Sequence, residues 1–142
     1  GPAIRDRRIT VEVSVKPPDL TVLGDGQRLE QAVQNLAANA LRHTPEGGRL
    51  SLSAEDVAEG TRISVRDTGP GIPAEHLPHV FERFYKADAA RSATRMSGSG
   101  LGLSIVQAIV ERHGGTVTAT NAPAGGALFE IRIPRPDHPP AE

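Results

Sequence analysis

Asn35, Asn39 and Arg42 recur at i, i+4 and i+7, which on a helix aligns them as one stripe. Asn is a poor mid-helix residue, so two stacked amides ask for a reason. An amide oxygen can coordinate a hard cation such as magnesium, and a guanidinium pairs with phosphate oxygens. A solvated polar face carrying two Asn would look the same. Asp67 is a second such group. It continues the face of Ile63 and Val65, so alternation turns its carboxylate inward, where it needs donors. Thr68 and backbone amides can supply them, and so can the exocyclic amine of adenine. Gly69 and Gly71 would let a flat base approach the backbone, although turns often read Asp-x-Gly-x-Gly.

Gly98-Ser99-Gly100-Leu101-Gly102-Leu103 places glycines at alternate positions just where a helix opens. Free amides and the helix dipole make such a start an anion site, and the glycines also suit a hinge. It is not the dinucleotide fingerprint, because Leu103 stands where a third Gly belongs and no strand leads in. It is not a P-loop, because no Gly-Lys-Ser/Thr follows. Phe81-Glu82-Arg83-Phe84-Tyr85-Lys86 concentrates the few aromatics. It reads as an anchor for the loop that follows, with Lys86 able to swing to a terminal phosphate. His76 and His79 have no partner at metal-site spacing and read as surface residues. His113 sits at a helix C-terminus, where positive charge is favourable.

These groups must be carried by a small core. The chain has 142 residues, 37% hydrophobic and only 3% aromatic, so Val, Ile, Leu and Ala fill it. The formal net charge of -1 excludes a basic field for nucleic acid or anionic lipid. Without cysteine there are no disulfides or thiolate metal sites, and no apolar run is long enough to span a bilayer. Ile9–Val15 alternates as a half-buried strand, and Leu20–Leu23 reads as a short second one. Asp25 caps a helix running to about His43, stopped by Thr44-Pro45-Glu46-Gly47-Gly48. Leu50, Leu52 and Ala54 share a strand face, and so do Ile63, Val65 and Asp67. A short helical stretch is expected over Ala74–Phe84, and a mobile loop over Lys86–Ser99. Gly100–His113 is a second long helix, ended by Gly114-Gly115. Val117 and Ala119, then Phe129, Ile131 and Ile133, mark a closing hairpin around Pro123-Ala124-Gly125-Gly126. Gly1-Pro2 reads as an expression scar, 3–134 as one domain, and 135–142 as a disordered proline-rich tail.

The order of these motifs resembles the GHKL (Bergerat) ATP-binding superfamily, and within it the sensor histidine kinases. Asn35-Leu36-Ala37-Ala38-Asn39-Ala40-Leu41-Arg42-His43-Thr44 is similar to its N box. Asp67–Gly71 is similar to its first glycine box, Phe81–Tyr85 to the F box particular to histidine kinases, and Gly98–Leu103 to its second glycine box. The resemblance covers residues 9–134. It implies an α/β two-layer sandwich, with a mixed, mostly antiparallel sheet of about five strands against three helices.

The resemblance also implies roles. Asn39 would ligate Mg2+ directly, supported by Asn35. Arg42 would meet phosphate, and His43, where the family more often has Tyr or Phe, would flank adenine. Asp67 would bind the adenine amine, with Gly69, Gly71, Ile72 and Tyr85 around the nucleotide. Lys86, Gly98, Ser99, Gly100, Leu101 and Gly102 would enclose the phosphates of ATP, with 86–99 as the lid. Asn35, Asn39 and Lys86 would form the catalytic set. Hydrolytic members have Glu at the position of Asn35, and an amide cannot take a proton from water. None of the five histidines has the family's acceptor context, so the expected acceptor lies on a separate dimerisation domain. A response regulator would follow, and the parent would be a membrane-bound kinase with this domain in the cytoplasm. The fragment itself is expected to be monomeric. Two other readings remain, a GHKL serine kinase and a non-catalytic regulatory nucleotide-binding module.

Overall fold

The computed structural model describes residues 8–85 and 102–136. The expected lid, with Lys86, Gly98, Ser99, Gly100 and Leu101, lies outside the described residues, as do 1–7 and 137–142. The elements are β1 (Thr10–Lys16), α1 (Gly26–His43), β2 (Arg49–Val57), β3 (Gly60–Asp67), a 3-10 turn (Leu77–His79), α2 (Gly102–Arg112), β4 (Thr116–Asn121) and β5 (Ala127–Pro134). They form an α/β fold with one five-stranded sheet, ordered β1-β2-β3-β5-β4. Among the described residues only β1 and β2 pair in parallel. That pairing needs a crossover, which α1 supplies. The other pairs are antiparallel.

Register explains the core. Leu52 lies opposite Val65, Val65 opposite Phe129, and Phe129 opposite Ala119, so one apolar row crosses the sheet and meets the helices. Phe129, Leu36, Ile131, Val65, Val106 and Val110 are fully buried there. Alternate residues such as Ser51, Arg66 and Thr118 take the other face, as a period of two requires. Asp25 caps α1 by accepting from the Arg28 amide at 3.2 Å. Thr44 ends α1; it is buried, and its hydroxyl donates to the Ala40 carbonyl at 2.7 Å. Gly114, at φ +75°, ends α2 in the left-handed conformation, and the Gly115 amide returns to the Val110 carbonyl.

Four expectations need correction. Leu20–Leu23 is not a strand. The Leu20 amide closes a turn on the Pro17 carbonyl, and the segment then drops Val22 onto the core while Leu23 stays exposed. The helix expected over Ala74–Phe84 is only the 3-10 turn with flanking turns, so among the described residues there are two α-helices rather than three. Pro78, inside the stretch, has no amide proton to sustain a helical ladder. β1 is exposed along its length although Ile9 just before it is buried: α1 packs mainly on β3 and α2 mainly on β4, away from this edge. Arg135, assigned to the tail, is tied down: its amide bonds the Glu59 carbonyl and its guanidinium reaches Asp56 at 3.1 Å. Among the described residues no helix is long and apolar enough to cross a membrane.

Candidate functional site

The C-terminal half of α1 and the loop after β3 build the site together. Asn35 and Asn39 are half-buried on α1, with Arg42 at its C-terminal end. The Asn35 side-chain nitrogen donates to the Gly102 carbonyl at 3.3 Å. This orients the amide, leaves Oδ1 as its acceptor, and joins the stripe to the first residue of α2. Asn39 Oδ1 accepts from the Arg42 guanidinium at 3.3 Å. Partial burial lowers the Arg42 pKa from its ordinary value, yet a guanidinium stays charged at neutral pH.

Asp67 closes β3 at 2% exposure. Its Oδ1 accepts from the Gly69 amide at 2.8 Å and the Ala127 amide at 3.3 Å. Among the described residues both bonds fall on Oδ1, which leaves Oδ2 for a further donor. Thr68 makes no hydrogen bond to Asp67 among the described residues; its hydroxyl accepts from the Arg49 amide at 2.9 Å.

Gly69 is glycine for a packing reason. A Cβ there would stand 2.2 Å from the His43 carbonyl oxygen, so the loop seats directly on the end of α1. Gly71 has φ +83°, which L side chains rarely adopt. Ile72 is partly buried against the core. The structure therefore brings Asn35, Asn39, Arg42, His43, Asp67, Gly69, Gly71, Ile72 and Gly102 into one region. Tyr85 is held by two histidines: its hydroxyl is hydrogen-bonded to His76 Nδ1, and its ring stacks on His79 with centroids 5.4 Å apart. The two histidines read as plain surface residues are thus the anchor of Tyr85.

Three participants escaped sequence reading. The β4–β5 turn supplies the Ala127 amide to Asp67. Gly126 lies so close that a Cβ would meet the Asp67 carbonyl at 1.9 Å. Asn121 bonds the Ile72 backbone in both directions. Their trace in the sequence is the pair Gly125-Gly126, which marks the hairpin turn without announcing what the turn touches.

Among the described residues no three His, Cys, Asp or Glu side chains form a metal-ligand set. The available oxygens are the neutral amides of Asn35 and Asn39. Such a donor set suits magnesium, which takes few protein ligands and completes its shell with phosphates and water. A separate cavity of about 560 Å³, lined by residues including Thr61, His113 and Pro134, lies at the opposite sheet end, away from Asp67.

The family described as Histidine kinase-, DNA gyrase B-, and HSP90-like ATPase matches residues 24–137. The chain is 50% identical over 118 residues to the signal transduction histidine-protein kinase AfsQ2 of Streptomyces coelicolor, covering 83% of this chain and 21% of that protein. It therefore spans about a fifth of that relative's length. The catalytic domain of histidine kinase ThkA superposes with a TM-score of 0.80 at 34% identity, covering 93% of this chain and 82% of that one. Full-length ShkA in complex with AMPPNP gives 0.77 at 34% identity, covering 92% and 26%.

Proposed function

Because this chain belongs to the Histidine kinase-, DNA gyrase B-, and HSP90-like ATPase family, we propose that it binds ATP with magnesium and donates the γ-phosphoryl group to a histidine on the dimerisation domain of its sensor kinase. One observation carries this reading. Gly69 seats on the His43 carbonyl, so a buried carboxylate with an open oxygen and an Asn/Arg stripe share one surface. ShkA, similar in fold and sequence, was solved with AMPPNP, an adenine nucleotide analogue.

Asp67 Oδ2 accepts from the adenine amine, with Gly71 and Ile72 along the base edge and His43 beside it. Arg42 pairs with phosphate oxygens. Asn39 and Asn35 hold magnesium, which neutralises phosphate charge when bound. Tyr85, Lys86 and the Gly98–Gly102 motif complete the set by resemblance. A ring nitrogen of the acceptor histidine forms a bond to the γ-phosphorus. The bond from that phosphorus to the β–γ bridging oxygen breaks, and ADP leaves with the electron pair. Phosphoryl transfer needs mainly positioning and charge neutralisation. Asn35 cannot take a proton from water, so bound ATP is kept for the imidazole. The parent kinase is membrane-bound with this domain in the cytoplasm, and a response regulator receives the phosphoryl group next.

Labelled ATP tests the reading. The chain alone is expected to stay unlabelled, and a separately expressed dimerisation domain of the same kinase is expected to acquire acid-labile label when added. Acid-labile label on the chain alone would overturn the division of labour. An unlabelled dimerisation domain at high concentration would favour a regulatory nucleotide-binding module.

A further inference from the structure

Asn121 is the last residue of β4, and its side chain reaches out of the hairpin to a loop 49 positions away in sequence. Its Oδ1 accepts from the Ile72 amide at 2.7 Å. Its Nδ2 donates to the Ile72 carbonyl at 2.8 Å. The side-chain amide thus imitates a strand partner, satisfying both backbone groups of a residue that lies in no strand. A short amide is needed for this. Asp offers no donor, Leu offers neither group, and Gln is one methylene too long for the same reach.

The same turn also holds the other end of the loop. Asn121 pairs with Ala127 across the hairpin, and the Ala127 amide donates to Asp67 Oδ1 at 3.3 Å. Gly126 packs against the Asp67 carbonyl. Between these anchors lies Gly71, with its positive φ, where a Cβ would come within 2.7 Å of Asn121 Oδ1. The loop 67–72 is therefore stapled at both ends by one hairpin turn, and Asn121 is the side chain that closes the second staple.

We infer that Asn121 is a positioning residue for base recognition: it holds the Gly71–Ile72 backbone at a fixed place relative to the Asp67 carboxylate, and so sets adenine affinity without touching the nucleotide. The inference rests on the assignment of Asp67 to adenine. A loop free at its Ile72 end would have to be ordered on each binding event, and that ordering entropy would be subtracted from affinity.

The test uses Asn121→Leu and Asn121→Asp in this chain, with Asp67→Asn as the control for the adenine assignment. Amide hydrogen exchange without nucleotide reads the staple directly. In Asn121→Leu the Ile72 amide is expected to exchange at least roughly tenfold faster, while Val65 in β3 keeps its protection. ATP affinity by calorimetry is expected to fall roughly tenfold in Asn121→Leu and by a smaller factor in Asn121→Asp. If Asn121→Leu does not fold, Asn121→Asp decides through affinity, because it keeps the acceptor for Ile72 and loses only the donor. ATP affinity within twofold of the parent in the folded Asn121 variant, while Asp67→Asn loses binding, would overturn the positioning role. Parent-like affinity in Asp67→Asn would instead remove the adenine assignment, and unchanged Ile72 exchange in Asn121→Leu would remove the staple itself.

Discussion

Asn35 donates its side-chain N–H to the Gly102 carbonyl at 3.3 Å, so the α1 stripe also carries the first residue of α2. Asn39, one turn on, has its oxygen engaged only by Arg42 among the described residues. The two amides therefore predict different phenotypes. Asn35→Ala should weaken ATP binding roughly 2- to 10-fold even with a chelator, since it releases the α2 N-terminus, and should reduce the magnesium dependence less than Asn39→Ala does. Asn39→Ala should weaken it only with magnesium. Calorimetry under both conditions is the measurement, and parent-like magnesium dependence in both variants would place the metal elsewhere.

Asp67→Asn should separate binding from folding. The amide oxygen can keep the bonds from Gly69 and Ala127, so the fold should persist. The new nitrogen would then face the adenine amine, donor against donor. Losing a hydrogen bond to a charged group costs about 1.5–3 kcal/mol, roughly 10- to 100-fold in affinity. A folded variant with unchanged ATP affinity would rule out this contact. Guanine carries a carbonyl where adenine has its amine, so GTP should compete poorly in the parent.

Gly69→Ala should destabilise the chain. The added methyl would stand 2.2 Å from the His43 carbonyl oxygen, which is backbone and must move with the end of α1. Overpacking of this kind costs about 1–3 kcal/mol. The denaturant midpoint should fall with little change in slope, and ATP affinity should drop with it. A parent-like midpoint would contradict the close seating of the loop.

His113 should be neutral in one tautomer. Its Nε2 faces the Asp25 amide at 3.0 Å and its Nδ1 faces the Ile109 carbonyl at 2.8 Å. An amide only donates and a carbonyl only accepts, so the proton belongs on Nδ1. Nitrogen chemical shifts should report the Nδ1–H form, and His113→Ala should cost about 1–3 kcal/mol by freeing the cap region of α1 from the end of α2. The Nε2–H form would contradict this geometry.

Local rules determined much of this protein. The Asp25 cap and the 3.6-residue period mark α1 within a residue, because both act inside one helix. Alternation placed Asp67 inward beside Val65, because a strand's period fixes its faces wherever the strand lies. The order of the motifs was enough to suggest the family. Other features waited on which elements meet. Leu20–Leu23 has strand-like composition, but its backbone closes a turn instead of joining a ladder. The valines of β1 alternate correctly and still stay exposed, because burial depends on where the helices sit. The pairings of Asn121 with Ile72, His76 with Tyr85 and His113 with Asp25 join residues remote in sequence or across turns, so no spacing rule announces them. Periodicity and caps are short-range and readable one segment at a time. Hydrogen bonds between segments exist only after packing has brought their donors and acceptors within reach.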